Sequence, residues 1–482
     1  MEQENTAWSD FIQLLSNFVD WGNDNLWTLL VPLLLIVGIF FTFATHFVQV
    51  RLFAQSIREI AAGRKDPTDP HGITPFQAFV TGVASRVGVG NIAGVALAIS
   101  QGGPGAVFWM WVTALIGMGS AFAESSLAQL FKIRDHENGR FRGGPAYYIQ
   151  YGLKQRWLGI IFALSLILCF GFVFNAVQAN TIAEATGKAW NWTPEYVGIA
   201  LCVFTLPIIF GGIRRVARIA EGIVPIMALI YLLMALYIVF SNISLVPGVF
   251  ALIFKEAFNF EAAAGGFLGA IFSQAMLLGI KRGLFSNEAG MGSAPNVAAT
   301  ADVKHPASQG LIQMLGVFFD TFVVCSCTAF IVLLSEPSNT QEIGVNITQT
   351  AIISHVGAWG GDFLAIVIFL FAFSSIIGNY AYAESNVNFI KNNPIITTVF
   401  RLLVVAMVYF GSVNKISLVW NMADLSMAVM AIINLVAIIL LCPFVFIILK
   451  DYQQQLKQGI RVPVFSLDNY PKLQKLLGRD VW

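Results

Sequence analysis

Ala84-Ser85-Arg86-Val87-Gly88-Val89-Gly90-Asn91-Ile92-Ala93-Gly94 interrupts an otherwise apolar run over 76–100, and its reading decides the fold. Two glycines flank a single residue, with Arg86 before them and Asn91 directly after, about twelve residues into the run. If the run crosses a bilayer, that depth is near the midplane. A second stretch has the same character: Gly279-Ile280-Lys281-Arg282-Gly283-Leu284-Phe285-Ser286-Asn287-Glu288-Ala289-Gly290-Met291-Gly292-Ser293, four glycines interleaved with charges. Glycine weakens a helix by roughly 1 kcal/mol relative to alanine, and a charge at the bilayer centre costs about 3 kcal/mol on insertion scales. Unwound backbone persists at that depth only where protein or a water-filled cavity satisfies it. Close-packed seams of small residues explain Gly265, Gly266 and Gly269. They do not explain glycines set among Arg, Asn and Glu, and both stretches read as unwound segments of a site.

The composition requires the bilayer. Of 482 residues, 57% are apolar and 11% charged, against about 25% charged in soluble domains. Mean hydropathy is +0.72, and a net charge of +1 leaves no footprint for nucleic acid. Reading for runs of about 20 apolar residues predicts eleven spans: 27–46, 76–100, 105–131, 157–182, 196–212, 220–241, 264–300, 310–335, 361–383, 395–412 and 420–449. The acidic start, with no Lys or Arg before Arg51, is the reverse of a basic signal-peptide region. With that terminus outside, 24 of the 28 basic residues fall on the cytoplasmic side. Only Lys188, Lys255 and Lys415 fall outside, and Arg86 lies within a span. This predicts N-out, C-in. The five cysteines (Cys169, Cys202, Cys325, Cys327, Cys442) sit in apolar runs and read as helix-core hydrophobes.

The two broken spans are the second and the seventh. Spans 2–6 and 7–11 therefore form two sets of five, and an odd set length inverts the second copy. Interrupted spans at matching places in inverted halves point to a transporter's binding site.

The stretch Gly102-Gly103-Pro104-Gly105-Ala106-Val107-Phe108-Trp109-Met110-Trp111-Val112-Thr113-Ala114-Leu115-Ile116-Gly117 resembles a signature of the alanine/glycine:cation symporter family. So do Phe285–Ser293 and Phe141-Arg142-Gly143-Gly144-Pro145-Ala146-Tyr147-Tyr148, and the likeness runs from about 70 to 450. The resemblance implies an all-α integral membrane protein of eleven transmembrane helices. It implies the leucine-transporter-type five-plus-five inverted repeat with one extra N-terminal helix. It also implies uptake of small neutral amino acids, alanine or glycine, with sodium and in some members protons. The expected layout is a periplasmic segment 1–26, a first span and cytoplasmic loop 27–75, and a first repeat 76–241. An outer loop 242–263, a second repeat 264–449 and a cytoplasmic tail 450–482 follow. A bacterial inner membrane and a monomer are expected, with no cofactor beyond sodium as coupling ion.

An amino-acid carboxylate needs backbone N–H donors, which a half-helix N-terminus offers. Gly88, Val89 and Gly90 free such donors; the family usually has a hydroxyl residue where this chain has Val89. Sodium needs oxygen. Asn91 can supply a side-chain oxygen, and the fold resemblance places paired hydroxyls at Ser374 and Ser375; plain interhelical bonding is the alternative. Gln178 matches a substrate-contacting position of the family, and Asn379 stands where many members have Trp. Gly283 and Phe285 would line the pocket, leaving room for a methyl; Phe272 is more simply a packing residue. Arg86 and Glu288 flank the breaks and are read either as an inner-gate ion pair or as a structural pair. Glu124, Asp320 and Glu384 complete the intramembrane charges, with Glu124 and Asp320 unassigned.

Other classes fit poorly. No His-Glu-x-x-His or Gly-x-Ser-x-Gly exists, and the histidines (His46, His71, His136, His305, His355) fall in loops or at span ends. No ATP-binding loop exists, so an ion gradient must supply the energy. A channel would need a filter of repeated carbonyls. Proton coupling, or another small amino acid such as serine, remains the alternative.

Overall fold

The structure, a computed structural model, describes residues 2–64, 73–135, 139, 141–211, 213–258, 273–335, 342–474, 476–477 and 481–482. Expectations resting on Lys65, His71, His136, Arg140, residues 264–272 of the seventh run (with Gly265, Gly266, Gly269 and Phe272), Lys475 and Arg479 lie outside the described residues.

Among the described residues the chain is helical nearly throughout. In order the principal helices are α1 (Glu2–Ala44), α2 (Phe53–Ala62), α3 (Pro75–Arg86), α4 (Gly90–Gly102), α5 (Gly105–Leu130) and α6 (Pro145–Gly152). Next come α7 (Arg156–Trp190), α8 (Pro194–Ile209), α9 (Ile213–Ser241), α10 (Val246–Ala257), α11 (Gln274–Asn287) and α12 (Pro306–Leu333). The chain continues through α13 (Val345–Val356), α14 (Trp359–Ile390), α15 (Pro394–Val413), α16 (Ile416–Leu440) and α17 (Cys442–Lys457). The exception is a small antiparallel ribbon pairing Ile133–Arg134 with Phe141–Arg142.

Eight helices are long and apolar enough to cross a membrane among the described residues, or nine if α3 and α4, bent by 47°, count as one broken span. The exterior is apolar, with Phe18, Ile36, Leu229, Leu233, Phe240 and Leu402 exposed. The interior holds Arg86, Glu124, Arg282, Glu288, Asp320 and Asp424, each at most 4% exposed. A soluble protein has the opposite arrangement. This is a multi-pass membrane protein.

Local chemistry sets the breaks. Thr74 starts α3 with a reciprocal cap, its hydroxyl accepting from Gln77 N–H at 3.0 Å while Gln77 Oε1 accepts from Thr74 N–H at 3.1 Å. The helix ends after Arg86, where Val87 turns extended (φ −76°, ψ 90°), and restarts in a π-helical turn, Gly90–Gly94. The other break follows α11. Glu288 takes a left-handed φ of 58°, and Gly290 and Gly292 each take 84°. A residue with a Cβ is rare in that region, so this turn needs its glycines. The seventh run is thus a helix, a glycine turn and a short helical turn, Pro295–Ala298. The predicted run 420–449 is also divided: α16 ends at Leu440 and α17 begins at Cys442 with Pro443 in its first turn.

α5 packs against α11 and α12, α14 against the second half of α7 and against α3, and α1 against α16. Two further π-turns, Ile167–Val173 in α7 and Phe319–Cys325 in α12, flank this centre. Such bulges are frequent at functional sites.

Candidate functional site

The two broken helices meet. A Cβ on Gly90 would come within 2.8 Å of the Phe285 ring and 3.1 Å of Ser286 Cα, and a Cβ on Gly88 would strike Ser375 Oγ. Glycine at both positions is therefore a condition for the contact between α3–α4, α11 and α14.

The amides freed at the first break are met by side chains. Asn91 Oδ1 accepts from Gly88 N–H at 2.9 Å, and Gln178 Oε1, from α7, accepts from Val89 N–H at 3.3 Å. Ser375 Oγ on α14 donates to the Ala84 carbonyl at 3.0 Å. The break thus presents two N–H donors, met by its own Asn91 and by Gln178 of α7, and a carbonyl met by Ser375 of α14.

Around Asn91 the sites of two helices converge. Asn91 Nδ2 donates to Asp320 Oδ1 at 2.7 Å, and Ser286 Oγ of α11 donates to Asp320 Oδ2 at 2.8 Å. Thr321 Oγ1 donates to the same Oδ2 at 3.1 Å. Asp320 and Thr321 are brought there by the π-turn in α12. Asn91, Ser286, Asp320 and Thr321 are all fully buried, so one carboxylate and several neutral oxygens share a dry junction between both breaks. The carboxylate and hydroxyl oxygens of Asp320, Ser286 and Thr321 suit a hard monovalent cation, with one negative charge among them.

A ring stack covers the junction. Phe174, Phe285 and Trp420 follow one another at centroid distances of 4.5 and 4.9 Å, and the Arg282 guanidinium lies 4.8 Å from the Trp420 ring centre. Below, the glycine turn is held by carboxylates. Glu124 on α5 accepts from Gly290 N–H at 3.2 Å, Gly292 N–H at 3.1 Å and Asn434 Nδ2 at 2.7 Å. Asn434 is itself bonded by the Tyr148 hydroxyl. Glu288 accepts from Ser85 Oγ at 3.0 Å and Ser293 Oγ at 2.6 Å.

Against this geometry the comparison with known proteins is decisive. The model of the sodium:alanine symporter family matches residues 12–467. The chain belongs to that family. Over 459 residues it is 50% identical to the amino-acid carrier protein AlsT of Bacillus subtilis, covering 95% of this chain and 96% of that one. It is also 50% identical over 458 residues to the probable sodium/glutamine symporter GlnT of the same organism, covering 95% and 94%. The sodium/alanine symporter AgcS of Methanococcus maripaludis is 36% identical over 442 residues, covering 90% and 95%. A member of the sodium:alanine symporter family is a transporter and not an enzyme.

The residues singled out in this transporter's sequence fall as follows. Gly88, Val89, Gly90, Asn91, Gln178, Phe285 and Ser375 are brought together at the first break. Ser374 is turned away: its hydroxyl bonds the Phe371 carbonyl at 2.8 Å and faces Met227 Sδ of α9. Gly283 faces Met110 and Thr113 of α5, since a Cβ there would sit 3.4 Å from Met110 Cα. Asn379 stands one turn further along α14, accepting from Ser85 Oγ at 2.7 Å and donating to Asn175 Oδ1 at 3.2 Å. The expected ion pair of Arg86 with Glu288 is not made. Arg86 Nη2 instead donates to Gln313 Oε1 at 2.7 Å, while two serines occupy Glu288. Glu384 pairs with Arg401 at 2.6 Å between α14 and α15, away from the junction.

The sequence reading missed Ser286, Thr321, Trp420, Arg282 and Asp424, and the tasks of Asp320 and Glu124. Cys325, read as a core hydrophobe, lies 3.3 Å from Asn91 Nδ2 and 3.2 Å from Ser286 Oγ at the same junction. Asp320 and Glu124 carried a visible signal as intramembrane carboxylates; their partners, 229 and 166 positions away in sequence for Asn91 and Gly290, did not.

Proposed function

We propose that this chain is a secondary active symporter that takes up small neutral amino acids, alanine and glycine, with sodium by alternating access. The observation that carries the reading is the junction of Asn91, Ser286 and Asp320 beside the break Gly88-Val89-Gly90. An amino-acid carboxylate displaces Gln178 from the Val89 amide and takes the freed N–H groups. Sodium takes the oxygens of Asn91, Ser286, Thr321 and Asp320, with Ser375 and the Ala84 carbonyl as a second oxygen pair on the opposite wall. Ser374 joins that pair only after a rotamer change. Gly88, Gly90, Gln178 and Phe285 then bound the substrate, and the Phe285 ring limits it to a short side chain. Asn379 and Gly283 act one layer out, through Ser85 and through α5. The names of the relatives agree with sodium coupling to alanine for AgcS and to glutamine for GlnT.

Substrate and ion are coupled because both complete the same unwound backbone, so each raises the other's affinity. We read the eight long helices, the bent pair, α8 and α11 as the eleven spans; eight, or nine with the bent pair, are long and apolar enough among the described residues. On that reading α3–α4 and α11 head two inverted repeats, 76–241 and 264–449, and rock against the remaining helices. The N-terminus lies outside, the tail 450–482 is cytoplasmic, and the membrane is a bacterial inner membrane. Arg86 and Glu288, separately held here, are placed to meet when the cytoplasmic half of α11 and its turn move.

The test is cotransport of the ion itself: in proteoliposomes, external alanine should accelerate entry of labelled sodium. Alanine entering without any extra sodium entry would overturn sodium symport and leave proton coupling, the alternative, to be measured directly.

A further inference from the structure

The ring stack above Phe285 ends on a buried ion pair that is only half made. Arg282 Nη2 of α11 donates to Asp424 Oδ2 of α16 at 2.7 Å, and Lys281 Nζ stands 4.0 Å from the same oxygen. Arg282 Nε and Nη1, Trp420 Nε1 and Asp424 Oδ1 have no hydrogen-bond partner, although all three residues are at most 4% exposed. Buried polar atoms are nearly always paired, so three orphaned donors and one orphaned acceptor in one place call for a ligand.

The donors and the acceptor specify its chemistry. Guanidinium Nη1–H, joined by Nη2–H once Asp424 releases it, and an indole N–H suit a carboxylate, and a free carboxylate oxygen suits an ammonium group. One small molecule carrying both, with no net charge to bring into a dry site, is an amino-acid zwitterion. The position suits an entry point. Trp420 stacks directly on Phe285, at 4.9 Å, so the ligand would lie one layer from the broken helices. The pair sits at the start of α16 beside the N-terminal helix: Asn23 Nδ2 donates to the Asn421 carbonyl at 3.0 Å and Trp27 Nε1 to the Asp424 carbonyl at 3.3 Å.

We propose that Arg282, Trp420 and Asp424 form a second, outer recognition site for the amino-acid zwitterion, loaded before the substrate reaches the broken helices. The proposal rests on the amino-acid symporter reading and on the N-terminus facing outside; Lys281 and Arg282, counted as cytoplasmic on the sequence, lie within α11 instead. The incoming carboxylate takes Arg282 from Asp424, and the ammonium group takes the Asp424 carboxylate in exchange. That swap of partners loosens α11 from α16 and frees Trp420 to leave Phe285, opening the way inward. No bond is made or broken beyond hydrogen bonds, and charge balances throughout.

The test compares the two faces of the full chain in oriented proteoliposomes with labelled alanine. Trp420→Phe keeps an aromatic ring beside Phe285 and removes Nε1–H; Asp424→Asn removes the ammonium partner. Each should raise KM for external alanine fivefold or more while KM for alanine leaving from the inside stays within twofold of wild type. KM rising equally on both faces, or on neither, would show a structural or gating pair and overturn the proposal. If Asp424→Asn does not reconstitute, Trp420→Phe decides alone. A wild-type protein that moves no neutral amino acid would overturn the symporter reading and this site with it, whereas unchanged external KM in the variants overturns this site alone.

Discussion

Asn91 Nδ2 stands 2.7 Å from Asp320 Oδ1, tying the restart of one broken helix to a carboxylate displaced inward by a π-turn in α12. The other atom of the same side chain, Oδ1, caps the Gly88 amide at 2.9 Å. One asparagine therefore links the substrate-facing backbone to the proposed ion ligand. A hydrogen bond to a charged group contributes about 1.5–3 kcal/mol, and about 1.4 kcal/mol is tenfold in an equilibrium constant. Asp320→Asn and Asn91→Ala should each raise the sodium concentration for half-maximal uptake roughly tenfold or more, with the protein still inserted and monodisperse. Unchanged sodium activation in both variants would remove this junction from the ion path.

Gly88 and Gly90 allow the closest approach in the site. A Cβ at either position meets Ser375 Oγ or the Phe285 ring, and overpacking typically costs about 1–3 kcal/mol. Gly88→Ala and Gly90→Ala should abolish measurable alanine uptake and lower the Tm modestly, with the protein still expressed and inserted. Normal uptake by either variant would mean that the two broken helices separate more widely in the working protein than they do here.

Glu124 is expected to act on stability more than on affinity. It accepts from two turn amides and from Asn434, and leaving buried donors unpaired costs about 1–3 kcal/mol each. Glu124→Ala should lower the Tm of the purified protein clearly, and Glu124→Gln, which keeps one acceptor, should lower it less. A Tm unmoved by Glu124→Ala would mean that the glycine turn holds its shape without this carboxylate.

Acid sensitivity should arise on the face that carries the tail. His305 caps α12: its Nδ1 accepts from Ala307 N–H at 3.1 Å, so the proton of the neutral ring sits on Nε2, 3.0 Å from Asp451 Oδ2. Burial pushes the His305 pKa down from 6.5, against the raising effect of Asp451. Burial alone would push Asp451 up, but the hydrogen bonds from His305, Tyr470 and Gln455 outweigh it and hold that carboxyl below its ordinary value. A histidine depressed on folding stabilises the fold fully above its unfolded pKa and loses that contribution as pH falls below it; the depressed aspartate loses its share only in stronger acid. Tm should therefore fall as pH drops from about 7 to about 5, and His305→Gln should flatten that slope. An equally steep slope in the variant would place the acid-sensitive group elsewhere.

The breaks at Gly88–Gly90 and after Asn287 were legible in sequence because glycine and charge both penalise a plain transmembrane helix, so their clustering marks where the helix stops. Eight long apolar helices were legible as runs because membrane thickness sets helix length, but α1 begins at Glu2 rather than near 27 and the run 420–449 divides after Leu440. What joins the breaks was not legible. Asp320 reaches Asn91 and Ser286 through a π-turn that has no compositional mark, and Glu124 reaches Gly290 across the bundle. Arg86 and Glu288 were paired on charge alone; Arg86 instead donates to Gln313, and Glu288 accepts from two serines. Ser374 and Ser375 are adjacent, and the 100° step of a helix sends only one of them to the break.

The central claim is that an amino acid and sodium enter together. The most direct measurement is uptake of labelled alanine into proteoliposomes holding the wild-type protein, with an inward sodium gradient, an inward proton gradient, or neither. The account predicts alanine accumulated above its external concentration under the sodium gradient alone, collapsing when sodium is equal on both sides. Uptake indifferent to both gradients would contradict it.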